Sequence, residues 1–85
     1  MEYKCYALSK KTGSVYGIIT EDNTGVGYYQ MQNYQGKLIP IEKRPNWERK
    51  GIFNMIDYDF TTNYQEAFNH MMYHHEKREA LKKIQ

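Results

Sequence analysis

Nine tyrosines stand in a chain of 85 residues that holds only three leucines and two valines. Any core must therefore be built largely from rings that carry a hydroxyl. Such a ring buries its body but keeps its oxygen wet or paired, which suits the edge of a core and also an interface. Leu, Ile, Val and Phe together number 15, under a fifth of the chain. At high net charge that level marks disorder, but the net charge here is only +2. The chain is expected to fold, with tyrosine and five methionines supplying much of the buried area.

The length fits one domain spanning residues 1–85. A chain this short buries a little over ~60% of its unfolded surface, so its core is thin. The lone Cys5 excludes an internal disulfide, and a compact chain without disulfides is expected in a reducing, cytoplasmic compartment. The opening residues Met1 to Tyr6 carry no apolar run of the signal-peptide kind. The longest apolar runs are three or four residues, too short to span a membrane. The small net charge does not by itself demand a nucleic-acid partner.

The first sixty residues read as strands. Tyr3 to Leu8 and Val15 to Thr20 form a hairpin across a loop containing Gly13. A turn over Glu21 to Gly25 leads to a third strand, Val26 to Met31. Asn33 to Lys37 reads as another turn, and Leu38 to Glu42 as a fourth strand. Pro40 cannot donate to a ladder, so that strand is expected at an edge or a bulge. Arg44 to Gly51 reads as a polar loop and Ile52 to Tyr58 as a fifth strand.

The period then changes. Tyr64, Ala67, Phe68, Met71, Met72 and His75 follow helical spacing and define one stripe over a helix from about 63 to 83. Thr62 with Gln65, or Asn63 with Glu66, supplies a capping box. Lys77, Arg78, Lys82 and Lys83 complement the helix C-terminus. The stripe weakens after His75, so the last turns are expected to project from the body. The resulting expectation is an α+β fold: an antiparallel meander of four to five strands, packed on one C-terminal α-helix. One sheet face is covered and the other is left to water or a partner.

Several constellations invite a chemical reading. Glu66, His70 and His74 lie one helical turn apart and could hold a divalent metal, but two imidazoles and a carboxylate in line are more often a solvated flank. Asp57 and Asp59 alternate on one strand, yet no general acid or nucleophile accompanies them. Gly25-Val26-Gly27 is followed by a strand rather than a helix, so it reads as a turn and bulge instead of a phosphate cradle. Nothing in this pattern points to an enzyme, a metal or a cofactor.

Residues Lys37 to Lys50 carry five basic side chains against Glu42 and Glu48, with Trp47 in their midst. Trp, Tyr and Arg are the residues that dominate protein hot spots. Trp47, Arg44, Arg49, Tyr28 and Tyr29 are therefore the candidate contact residues. Trp47→Ala is expected to abolish binding while leaving the thermal midpoint nearly unchanged.

The function expected is a small non-catalytic protein-binding module, an inhibitor or adaptor of a larger protein. Abundant Lys, Asn, Ile and Tyr with little Ala suit an AT-rich bacterial or phage genome, hence a target among host defence or nucleic-acid enzymes. One alternative is a single-stranded nucleic-acid binder that stacks bases on strand-borne tyrosines. Another is a sponge for a nucleotide or other small ligand, with a tyrosine-lined pocket formed across a homodimer.

Overall fold

The structure is a computed structural model and describes residues 2–84. Its elements are β1 (Cys5–Ser9), β2 (Val15–Glu21), β3 (Gly25–Tyr34), β4 (Lys37–Pro40), β5 (Asn46–Arg49), β6 (Tyr58–Thr61) and α1 (Tyr64–Ile84). All pairings are antiparallel, and the strand order is β4-β3-β2-β1-β6 with β5 also on β3. The helix packs on one face of this sheet, which gives the α+β arrangement that the period change implies.

The turns follow from local chemistry. The Asp22 carboxylate accepts the Thr24 hydroxyl (2.7 Å), the Thr24 N–H (2.7 Å) and the Gly25 N–H (3.0 Å), which fixes the β2–β3 turn. Those same bonds, the hydroxyl's foremost, hold its carboxyl below the usual range. The β3–β4 hairpin turns on Gln35 and Gly36, both at positive φ (52° and 80°), the pattern of a type I′ turn.

Two elements depart from the sequence reading. The segment expected to be a polar loop contains β5, which pairs Asn46–Arg49 with Gly25–Tyr28. β4 pairs with Met31–Tyr34, so β4 and β5 line one edge of β3 in tandem. The free donors and acceptors of β3 recruit this segment despite its polar composition, because strand preference depends on pairing context. The expected strand at Ile52–Tyr58 is instead a run of bends and turns over residues 52–57, and only Tyr58 belongs to a strand, as the first residue of β6. The Asn54 side-chain oxygen accepts from Ile56 N (3.0 Å) and Asp57 N (2.9 Å), and its carbonyl accepts from Tyr58 N (3.0 Å). These backbone donors are satisfied locally and do not join a ladder. The last strand is β6, and it lies beside β1 rather than continuing a meander.

Strand alternation sorts the side chains onto two faces. Tyr6, Leu8, Val15, Tyr29, Met31 and Leu38 face α1 and pack with Ala67, joined by Tyr3, Ile19, Phe68 and Met71. Ala7, Ile18 and Val26 face the other way, under Cys5, Tyr16, Tyr28, Phe53 and Tyr58. The second face is therefore covered, where the sequence pattern implies an open one. Phe53 covers it from the 50–57 segment.

This arrangement accounts for most of the tyrosines. Tyr3, Tyr6, Tyr29 and Tyr64 form a chain of rings on the helix side, with centroids 5.5–6.5 Å apart. Tyr16, Tyr28 and Tyr58 gather around Phe53 on the other face, at 5.0–6.1 Å. Seven of the nine tyrosines thus pack on other tyrosine or phenylalanine rings in edge-on or tilted pairs, the geometry that ring quadrupoles favour.

Burial pushes up the phenols of Tyr3, Tyr6, Tyr28 and Tyr58, with neighbouring acidic groups adding to it. A raised folded pKa means that unfolded phenols ionise first. These rings therefore contribute stability that is complete below the ordinary tyrosine value of about 10 and is lost as pH rises through and above it. A tyrosinate absorbance titration is expected to show a late-ionising set of phenols coupled to alkaline unfolding. A single step at the free-tyrosine value would contradict the packing described.

The helix begins with half of the expected capping box. Asn63 Oδ1 accepts the Glu66 N–H (2.9 Å), while the Glu66 carboxylate accepts the Thr61 hydroxyl (3.1 Å). The Tyr64 hydroxyl accepts the Leu38 N–H (2.8 Å) and ties the helix start to β4. The packed stripe runs through Ala67, Phe68, His70, Met71, Met72 and His74: it shares four residues with the stripe expected and is rotated toward His70 and His74. His70 Nε2 meets the Ser9 carbonyl at 2.8 Å, and the His74 side chain presses on buried Gly13, whose φ of 79° also favours glycine. His75, expected to be half-buried, is exposed as a result, as is every side chain from there to Lys82. The last anchor among the described residues is Arg78, whose Nη1 donates to the Thr12 carbonyl (2.8 Å).

Candidate protein-binding surface

The most exposed large apolar side chains among the described residues are adjacent. Met55 and Ile56 are 82% and 83% exposed. They form the tip of the 50–57 segment, between the Phe53 anchor and β6. Their backbone is held from several sides. Asn54 caps the N–H groups of Ile56 and Asp57, and its amide nitrogen donates to the Asp57 carboxylate (3.3 Å). From β1's end, Lys10 Nζ donates to the Met55 carbonyl (3.3 Å) and Lys10 N to the Asp57 carbonyl (2.9 Å). The sheet has no use for these two side chains, yet the fold fixes the backbone that presents them.

The contact residues expected from sequence are not all brought together. Trp47 stands on β5, 53% exposed, with its indole lying against Gly25 and Gly27 of β3. Those glycines admit the ring, so Trp47 is in part a cover for the sheet. Arg49 lies two residues on and shares its side of the strand. Arg44 is exposed in the 41–45 connection. Tyr28 faces the opposite side, half-buried beneath Phe53, and Tyr29 is buried in the core at 6% exposure. The basic and aromatic surface thus reduces to Trp47, Arg49 and Arg44. Because nearly half of Trp47 is packed, Trp47→Ala is expected to lower stability by about 1–2 kcal/mol, contrary to the unchanged midpoint expected from sequence.

The titratable clusters are engaged in structural bonds. Glu66 turns to Thr61 and His70 to the Ser9 carbonyl, so the Glu66, His70 and His74 set does not converge. Among the described residues no group of three His, Cys, Asp or Glu side chains is placed to hold a metal. Asp57 pairs with Lys11 (3.6 Å) and Asp59 with Lys10 (3.7 Å). Both are exposed ion pairs, each worth little. The His74 imidazole is pushed below its ordinary value, by burial first and then by His70, Lys77 and Arg78.

The Met55–Ile56 tip escapes a sequence reading because Ile52 to Tyr58 also fits a strand pattern. The signal that could have revealed it is Asn54, an acceptor placed two residues before Ile56. Among the described residues no helix is long and apolar enough to cross a membrane. Comparison of the chain with protein-family models, with curated proteins and with solved structures finds no match.

Proposed function

We propose that this chain is a small non-catalytic protein-binding module, an inhibitor or adaptor of a larger protein. The observation that carries the reading is the Met55–Ile56 tip: two fully presented apolar side chains on a backbone held by Asn54 and Lys10. Scattered exposed apolar residues need no explanation, but adjacent ones on a braced turn resemble an anchor shaped before binding. Holding the tip in advance lowers the entropy lost on association. Trp47 with Arg49 offers a second contact of hot-spot composition.

The strand-borne rings support this reading over base stacking. Tyr16, Tyr28 and Tyr58 are packed against Phe53, so they do not form a free aromatic platform. Composition and the lone Cys5 support a cytoplasmic inhibitor from a phage or mobile element, directed at a host defence or nucleic-acid enzyme. The test is affinity capture from a bacterial lysate with and without nuclease. One larger protein retained after nuclease is the expected result. Binding that disappears with nuclease would replace this reading with nucleic-acid binding.

A further inference from the structure

A trough of about 520 Å³ runs between the β1–β2 turn, the far end of β3 and the second half of α1. Its apolar lining is Met31, Met71 and Met72. Its rim carries Thr12, Asn33, His75 and Arg78. Met71 and Met72, both half-buried, make an adaptable floor of the kind that accepts varied apolar side chains, with the buried Met31 beneath. Asn33 Nδ2 meets the Met72 sulfur at 3.3 Å, which places a side-chain amide at the floor's edge.

The charge at this trough has one sign. Arg78 is a permanent cation, His75 adds an imidazole, and no Asp or Glu is among the described lining residues. Arg78 gives one nitrogen to the Thr12 carbonyl, which fixes the guanidinium at the rim and leaves its other donors free for a carboxylate. Thr12, Gln32, Asn33, His75 and Arg78 are all exposed. A small ligand would keep much of its surface in water here, whereas enclosed sites bury most of a ligand. A polypeptide seated here would also cover the exposed rim residues Thr12, Gln32, Asn33, His75 and Arg78.

We propose that this trough binds an acidic peptide segment, seating an apolar side chain on Met71 and Met72, above the buried Met31, and a carboxylate on Arg78 and His75. The proposal rests on the reading of the chain as a protein-binding module and names the chemistry of one segment of its partner. The surface is separate from the Met55–Ile56 tip, so either can fail without the other.

The test uses the full chain labelled at its methionine methyl groups and observed by NMR. The probes are an acetylated peptide of two leucines flanked by glutamates and its lysine-flanked counterpart. The acidic peptide is expected to shift the Met31, Met71 and Met72 methyls saturably, leaving the Met55 methyl in place. The lysine peptide is expected to leave all four unmoved. Arg78→Gln is expected to weaken the acidic peptide about tenfold, and Arg78→Lys to restore most of the loss, as for a charge-assisted bond. Still methyls in the trough, an equal response to both peptides, a shift confined to Met55, or wild-type affinity in Arg78→Gln would each overturn the proposal.

Discussion

Phe53→Ala is expected to lower the stability of this domain by about 3 kcal/mol. The ring of Phe53 lies 5.0 Å from those of Tyr28 and Tyr58 and 5.2 Å from that of Tyr16. It joins the sheet to the 50–57 segment, and its loss would uncover Ala7, Ile18 and Val26. Buried Phe→Ala changes cost about 3–5 kcal/mol, and Phe53 is only half-buried, which places it at the low end. Since small domains are stable by about 5–15 kcal/mol, this is a large fraction of the total. Chemical denaturation followed by circular dichroism measures it. Phe53→Leu, which keeps apolar volume but no ring, is expected to fall between the two. A cost below about 1 kcal/mol for the alanine variant would mean that the second face does not depend on this cover.

The second large effect is on binding. Ile56→Asp places a charge at the tip without touching a packed side chain. Its stability is expected to stay within about 0.5 kcal/mol of wild type, as for surface changes away from packed features. Partner affinity is expected to fall by about thirtyfold or more, the loss that truncating a hot spot brings. Asn54→Ala keeps both apolar side chains but removes the acceptor for Ile56 N and Asp57 N. It is expected to weaken binding by a smaller factor, because the tip must then be ordered on association. Wild-type affinity in both variants would remove the tip from the interface.

Much of the fold was legible in the sequence because its signals are local. The turns at Asp22 and Gly36, the switch to helical period at Tyr64 and the Asn63–Glu66 cap each depend on neighbours within a few residues. What was not legible depends on partners far along the chain. β5 exists because β3 is ten residues long and β4 covers only part of its edge. The Ile52–Tyr58 segment has strand composition, but Asn54 satisfies its donors locally and Phe53 finds three tyrosines from β2, β3 and β6. An abundance of tyrosine suits an interface as well as the edge of a core. Seven of the rings are used within two clusters, since a sheet covered on both faces needs more aromatic area than one covered on one face. The candidate site was legible only in part. Trp47, Arg44 and Arg49 lie at the surface, Tyr29 does not, and Met55 and Ile56 were hidden in an expected strand.

Under the proposed function, Met55 and Ile56 serve a partner rather than the fold. Side-by-side measurement of thermal midpoint and nuclease-resistant capture, for wild type and Ile56→Asp, tests it most directly. An unchanged midpoint together with loss of the captured protein is expected. A midpoint that falls sharply, or a partner captured equally by both chains, would contradict it.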